Sequence, residues 1–323
     1  MDATTGQVWP KNNRVQEYFS VKFRKLLSGA PDGIPPWLEV IAEGDTGGPF
    51  EPSDAPWIVH RDFGTLVGGI RALLMQALHP GSLAGVAQHS RYESDALGRL
   101  SGTIRWLTVT TFGSHAAVAA EASRVNRLHE RVSGEYRQGA EQVSYRASDQ
   151  SLLLWVHLAF TESFLATHNR YTANPVDPDR YVEQWGRSVA PLGLSKVPTT
   201  FAELEQQIAD FDGTLRCDET TKSVVGFIKR VKLPWYARPI YRVLWLAAVE
   251  SLQPKYRELL GLKRPPSWVT PITRWLLKAL RTTIGPESPI EDGALRRLQR
   301  LGYTCQVASA TRHPSSVGRA APS

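Results

Sequence analysis

The chain has 323 residues, a formal net charge of +7 and 42% hydrophobic residues, a composition typical of a globular protein with a sizeable core. Its two cysteines, Cys217 and Cys305, are too few for a disulfide framework and too far apart for a CxxC metal site. The first residues contain no apolar run typical of a secretory signal, and every apolar stretch is shorter than the roughly 20 residues of a membrane span. We therefore expect a cytoplasmic protein, with a peripheral membrane association left open.

Helical periodicity dominates the chain after a first segment that is rich in glycine and proline. In residues 1–60 we expect one helix near 14–28, followed by irregular structure. From Asp62 onward apolar residues recur every three or four positions, which predicts a helix. Pro80 is expected to begin the next helix, which runs to His89.

The helical pattern continues through the middle of the chain. Ser94 or Asp95 is expected to cap a helix that carries Arg99, and the following helix has an apolar stripe that reaches Tyr136. Asp149 is expected to cap a long helix, and no alternating pattern typical of strands persists anywhere.

The predicted fold is all-α. Two shorter helices are expected near 177–190 and 199–212, and prolines then divide the chain into short helical pieces. This pattern predicts four parts: an irregular and helical N-terminal segment over 1–60, a helical core over 61–230, a basic, aromatic-rich helical lobe over 231–305 that packs on the core, and a disordered tail over 306–323.

The positive charge is concentrated in residues 232–281, which hold ten Lys or Arg and only two Glu. Aromatic residues are interleaved with these cations, namely Trp235, Tyr236, Tyr241, Trp245, Tyr256, Trp268 and Trp275. No zinc-finger, RNP or basic-zipper pattern is present, so we expect no nucleic-acid partner. Two interpretations stay open: a surface that contacts membranes, where aromatic rings lie at headgroup level, or a lobe whose aromatics are core and whose charges are solvated.

Histidines are the main candidates for chemistry, because the chain has no GxSxG, GxGxxG, P-loop or HExxH motif. Six of them fall within the helical region, namely His79, His89, His115, His129, His157 and His168. His129 and His157 lie on the apolar stripes of adjacent predicted helices. A neutral imidazole there is either a ligand of haem or iron between helices, or a core side chain bonded to a backbone carbonyl.

Arg99 and Thr103 lie one turn apart in a predicted helix, and two interpretations apply to them as well. Arg99 either pairs with Asp95 on the surface, or faces a pocket together with Thr103 and acts on something bound there.

Four elements in a fixed order resemble one oxygenase family, which takes in the MpaB proteins and the catalytic domain of latex clearing protein, the rubber oxygenase. They are the HP pair at His79 and Pro80, the Gly-Arg-Leu…Thr run from Gly98 to Thr103, the Leu-His…Val…Gly run from Leu128 to Gly134, and the run DQSLLLWVH from Asp149 to His157. The resemblance spans about residues 55–260.

The resemblance implies a globin-like helical bundle that holds a b-type haem and uses O₂ to oxidise a small apolar substrate of lipid or terpenoid type. It implies that His129 binds the iron and that Arg99 and Thr103 face the pocket, where they can hydrogen-bond the oxygen. We also expect His79 to be one of the residues that bind the haem. For His157 a second axial ligand, a distal acid–base group and a core side chain all stay open.

Two features separate this chain from the rubber oxygenases. They carry a lysine where this chain has Gly102, and they lack the Trp-Val-His element that ends at His157. The resemblance therefore favours the MpaB-like branch, without transfer of polyisoprene cleavage. The alternative function is a non-catalytic, peripheral membrane or lipid-binding protein in which the histidines are structural.

Overall fold

The computed structural model describes four stretches of the chain: 13–89, 96–139, 141–285 and 288–303. For residues 96–99 it describes the backbone only. The predicted caps Ser94 and Asp95 and the predicted disordered tail lie outside these described residues. Within them the fold is almost entirely α-helical, which confirms the predicted fold class.

The elements of the first half of the chain are α1 (Arg14–Ser28), α2 (Leu38–Ala42), α3 (Ala55–His60), α4 (Gly64–Gln76), α5 (Pro80–His89), α6 (Ala96–Phe112), α7 (His115–His129), β1 (Ser133–Gln138), β2 (Glu141–Arg146) and α8 (Gln150–Tyr171). Those of the second half are α9 (Pro178–Gly186), a 3₁₀ turn (Ala190–Leu192), α10 (Phe201–Asp210), α11 (Glu219–Lys229), α12 (Arg238–Ser251), α13 (Pro254–Leu259), α14 (Val269–Ile284) and α15 (Pro289–Arg300).

Local sequence signals account for several helix ends. The side chain of Asn13 accepts hydrogen bonds from the first turn of α1, which ends at Gly29 in the left-handed conformation, with φ of 70°. α5 begins at Pro80 as predicted, because proline lacks an N–H and suits the first turn. α8 begins directly after Asp149, but the Asp149 carboxylate accepts its hydrogen bond from the backbone N–H of Arg146, at 2.8 Å.

A β-hairpin replaces the end of a predicted helix. α7 ends at His129, and β1 then pairs antiparallel with β2, with Gly139 at φ of 66° in the turn between them. Tyr136 is partly buried, as the predicted stripe required, but it packs on Tyr145 of β2, with the ring centroids 6.2 Å apart. A three- or four-residue spacing over so short a stretch does not distinguish a helix from a half-buried strand.

α4 and α8 form the central pair of helices and run antiparallel. A Cβ atom at Gly68 of α4 would lie 2.6 Å from Cδ1 of Phe164, so only glycine permits this close approach. Further along, Arg71 forms a buried ion pair with Glu162, with Nη2 and Oε1 2.6 Å apart, and donates to Ser163 Oγ at 2.9 Å. These contacts fix the register of the two helices.

One hydrophobic core contains residues from every described segment, from Trp37 to Leu298. The segment before residue 61 forms α2 and α3 where irregular structure was expected, because Ile41 and Trp57 are fully buried in this core and hold the two short helices against it. None of the described helices is both long and apolar enough to cross a membrane.

The aromatic residues of the basic segment divide into two groups. Trp245 and Tyr256 are buried in the core, and Tyr241 is half-buried with its hydroxyl donating to the carbonyl of Ile228. The others are exposed, namely Trp235, Tyr236, Trp268 and Trp275. The core interpretation therefore holds for Trp245 and Tyr256, and the exposed aromatic residues leave membrane contact a prediction.

Candidate functional site

A cavity of about 1700 Å³ lies mainly between α1, α4, α6, α8, α11, α12 and α14. Its wall is predominantly apolar, with side chains that include Phe23, Leu66, Leu73, Leu107, Phe160 and Leu276. Ligand pockets usually measure about 300–1,000 Å³, so this cavity has room for more than one drug-sized molecule.

α6 presents one face to this cavity. Leu100, Thr103, Ile104 and Leu107 all line it, at the three- and four-residue spacing of one helical face. Thr103 therefore lies in a cavity wall, as the pocket interpretation expected. The backbone of Arg99 belongs to the first turn of α6, and its side chain lies outside the described residues.

The three histidines predicted for the site do not line this cavity. His157 is buried in α8, its Nε2 has no hydrogen-bond partner among the described residues, and burial lowers its pKa to about 4. His79 is buried against Trp155 and Phe211, and burial lowers its pKa to about 4 as well. His129 is half-buried, its Nδ1 is buried without a partner in the described part of the chain, and burial lowers its pKa. All three imidazoles are thus predominantly neutral at pH 7, the form that binds iron.

α6 and α7 form an antiparallel pair whose register is fixed by an ion-pair cluster. Glu121 of α7 accepts hydrogen bonds from Arg105 of α6 at 2.9 Å and from Arg124 at 2.6 Å. The cluster joins the middle of α6 to the middle of α7, the two helices that carry Thr103 and His129.

Two histidines that the sequence analysis did not assign to the site do line the cavity, His60 and His168. Both ring nitrogens of His60 are used: Nδ1 lies 2.7 Å from Thr111 Oγ1 and Nε2 lies 2.9 Å from Tyr181 Oη. The Thr111 hydroxyl donates to the carbonyl of Leu107 at 2.7 Å, so it accepts from Nδ1–H, and the Tyr181 hydroxyl donates to Nε2. Burial lowers the pKa of His60 to about 3, which makes it a neutral, fixed side chain with no free lone pair.

His168 differs from His60 because one of its nitrogens is free. Nε2 lies 3.0 Å from the carbonyl oxygen of Asn174, which can only accept, so Nε2 carries the proton. Nδ1 therefore holds a lone pair, and it is buried without a partner among the described residues. The spacing in the sequence could have indicated this position, because His168 follows Phe164 by four residues and Phe160 by eight, on one face of α8. Both phenylalanines line the same cavity.

These residues fit a b-type haem held by one imidazole. The porphyrin supplies four of the iron ligands, so an apolar cavity and one neutral imidazole with a free nitrogen are sufficient. His168 meets both conditions, because it lines the cavity and its Nδ1 is free, whereas His129 has an unpartnered Nδ1 but does not line the cavity. A metal site built from protein ligands alone is not indicated in the described residues, where no group of three or more His, Cys, Asp or Glu could hold an ion.

The fold and the cavity define a helical protein that encloses a large apolar chamber with a few polar groups in its wall. The family described as the ER-bound oxygenase mpaB/B′ and rubber oxygenase catalytic domain matches residues 57–284, which is more than half of the chain. The chain belongs to this oxygenase family. Comparisons with curated proteins and with solved structures gave no match.

Proposed function

We propose that this chain is a haem-dependent oxygenase that uses O₂ to oxidise a small apolar substrate of lipid or terpenoid type. The observation that carries the proposal is the apolar cavity with Thr103 in its wall, in a chain that belongs to an oxygenase catalytic-domain family. The apolar wall favours an apolar substrate, because each Å² of apolar surface removed from water stabilises the bound state by about 25 cal/mol.

His129 is the proposed axial ligand, since it occupies the matching motif position and its neutral imidazole has an unpartnered Nδ1. His168 is the competing ligand, because it lines the cavity and its Nδ1 is also free. When bound, the haem supplies the iron that activates O₂.

The residues of the chain bind the substrate, exclude water and position hydrogen-bond donors. Thr103, together with Arg99 one turn earlier in α6, is proposed to hydrogen-bond the oxygen. His157 keeps its alternative roles of second axial ligand, acid–base group and core residue, since its Nε2 has no partner but it does not line the cavity.

Haem retention by single-histidine variants tests this proposal. Each variant is expressed with a haem precursor, and the Soret absorbance per chain is measured after gel filtration. We expect His129→Ala to lose the haem and His157→Ala to retain most of it, while His115→Ala, which removes an exposed imidazole, serves as the matched control. Loss of haem in His168→Ala, with retention in His129→Ala, would place the axial ligand in the cavity wall instead.

A non-catalytic lipid-binding protein is the second candidate function. It is favoured by one observation, namely that His129, His157 and His79 do not line the apolar cavity. In this case the cavity holds a lipid and no haem. A colourless protein from which an organic solvent extracts a stoichiometric lipid would favour this function over the oxygenase.

A further inference from the structure

Five exposed aromatic side chains line the cavity and also reach the protein surface: Tyr18, Phe19, Trp235, Tyr236 and Trp275. We call this set the aromatic rim. Trp235 is 79% exposed and Trp275 is 69% exposed, although tryptophan is highly buried on average. The cavity therefore opens to the surface among these rings.

Direct contacts join the elements of the aromatic rim into one surface. The Nζ atom of Lys22 in α1 lies 4.4 Å from the ring centroid of Tyr18 and 5.7 Å from that of Tyr236, which precedes α12. Gln16 of α1 donates from Nε2 to the carbonyl of Thr282 in α14 at 3.0 Å. α1, the segment before α12 and α14 are thus neighbours around the opening.

α14 extends this surface beyond the opening. Trp268, Ile272 and Trp275 are exposed and lie three or four residues apart, on one outer face, whereas Val269 and Leu277 are buried. Within the described residues nothing covers this outer face.

The two segments of this surface that follow residue 228 carry positive charge and no acidic residue, whereas Glu17 of α1 pairs with Arg24. Residues 229–242 contain five basic residues and no Asp or Glu, and residues 259–285 contain another five and again no acid. Aromatic rings mixed with cations suit the headgroup region of an anionic bilayer.

We propose that the aromatic rim and the outer face of α14 dock on an anionic lipid bilayer, so that an apolar ligand enters the cavity directly from the membrane. One of the two interpretations of the sequence pattern was a membrane surface over residues 232–281. The structure removes the buried Trp245 and Tyr256 from that surface and adds Tyr18 and Phe19 of α1. This docking does not depend on a bound haem.

Co-sedimentation of the full chain with vesicles tests the docking. We expect binding to vesicles of phosphatidylcholine with phosphatidylglycerol, little binding to phosphatidylcholine alone, and a steep fall with added salt. The double variant Trp235→Ala/Trp275→Ala is expected to lose most of the binding. Tyr303→Ala, which removes an exposed aromatic outside the rim, is the matched control and should bind like the wild type.

Charge variants measure how much electrostatic attraction contributes to the binding of anionic vesicles. Lys22→Gln and Lys232→Gln are each expected to lower the affinity for anionic vesicles about fivefold. Arg146→Gln neutralises an exposed cation on β2 and should leave the affinity unchanged. Circular dichroism of each variant establishes that the fold is intact.

The docking proposal is overturned if the wild type sediments with neither kind of vesicle at low salt, or equally with both. It is also overturned if well-folded rim variants bind like the wild type. Because vesicle binding is measured with or without haem, a colourless chain that binds anionic vesicles would contradict the oxygenase proposal and leave the docking standing.

Discussion

The Nε2–H of His168 donates a 3.0 Å hydrogen bond to the carbonyl oxygen of Asn174, and Nδ1 of the same ring has no partner among the described residues. A backbone carbonyl that fixes the tautomer and leaves the other nitrogen free is the arrangement found behind many metal-bound histidines. Burial lowers the pKa of His168, so the ring is neutral at pH 7. The predominantly apolar cavity wall therefore contains a base with a free lone pair.

Acid is expected to destabilise the fold because the core holds neutral imidazoles. His157 has a pKa of about 4 in the folded chain, against 6.5 for an unperturbed histidine. Between these two pH values the unfolded chain binds a proton that the folded chain does not, so the free energy of unfolding decreases as the pH falls. Replacing His157 by Gln should reduce this loss by on the order of 3 kcal/mol.

Urea denaturation at pH 7 and pH 4 measures this effect. His115→Gln, which removes an exposed imidazole, is the control and should show the same pH dependence as the wild type. An equal loss of stability in the wild type and His157→Gln would show that His157 is not a buried neutral group.

The close packing of α4 on α8 is tested by two adjacent glycines. Gly68→Ala is expected to lower the free energy of unfolding by about 1–3 kcal/mol, because the new methyl group would overlap the Phe164 ring. Gly69→Ala meets nothing within 4 Å and is expected to raise the free energy of unfolding by up to about 1 kcal/mol. Equal urea midpoints for the two variants would contradict this packing.

The buried ion pair between α4 and α8 is expected to be essential for stability. In Glu162→Gln the fully buried guanidinium of Arg71 keeps its hydrogen bonds to Ser163 Oγ and the carbonyl of Ser251 but loses its counter-charge. The expected cost is about 3–5 kcal/mol, measured by chemical denaturation. Glu219→Gln, which breaks an exposed pair with Lys222, should leave the denaturation curve unchanged.

Arg99→Ala tests whether position 99 faces bound haem. If Arg99 acts on haem ligands, its loss should weaken azide binding to the ferric protein about tenfold or more, since a hydrogen bond to a charged group contributes about 1.5–3 kcal/mol. Arg99→Lys should restore only part of the affinity, because a point charge does not replace a planar guanidinium. Unchanged azide affinity in a haem-loaded Arg99→Ala protein would indicate that Arg99 lies on the surface and does not act on haem ligands.

Local signals in the sequence predicted several elements closely. Pro80 and the run to His89 predicted both ends of α5, because proline suits the first turn of a helix. Asp149 predicted the start of α8, although its carboxylate bonds the N–H of Arg146 and not the first turn of the helix. The hairpin after His129 was missed, since its pairing joins residues of two strands and leaves no helical or alternating pattern long enough to detect.

The candidate site was harder to predict because its wall is assembled from helices that are distant in the sequence. Thr103 was placed in a cavity, but His60 and His168 were not, since a cavity depends on which helices pack together and not on any single periodicity. For the same reason the sequence did not predict that Tyr18 and Phe19 belong to the aromatic rim, since they lie more than two hundred residues before Trp235.

The absorption spectrum of the wild-type protein, purified from cells supplied with a haem precursor, tests the central claim most directly. We expect a Soret band that stays with the protein through gel filtration, with about one haem iron per chain. A well-folded, colourless protein without iron would contradict it.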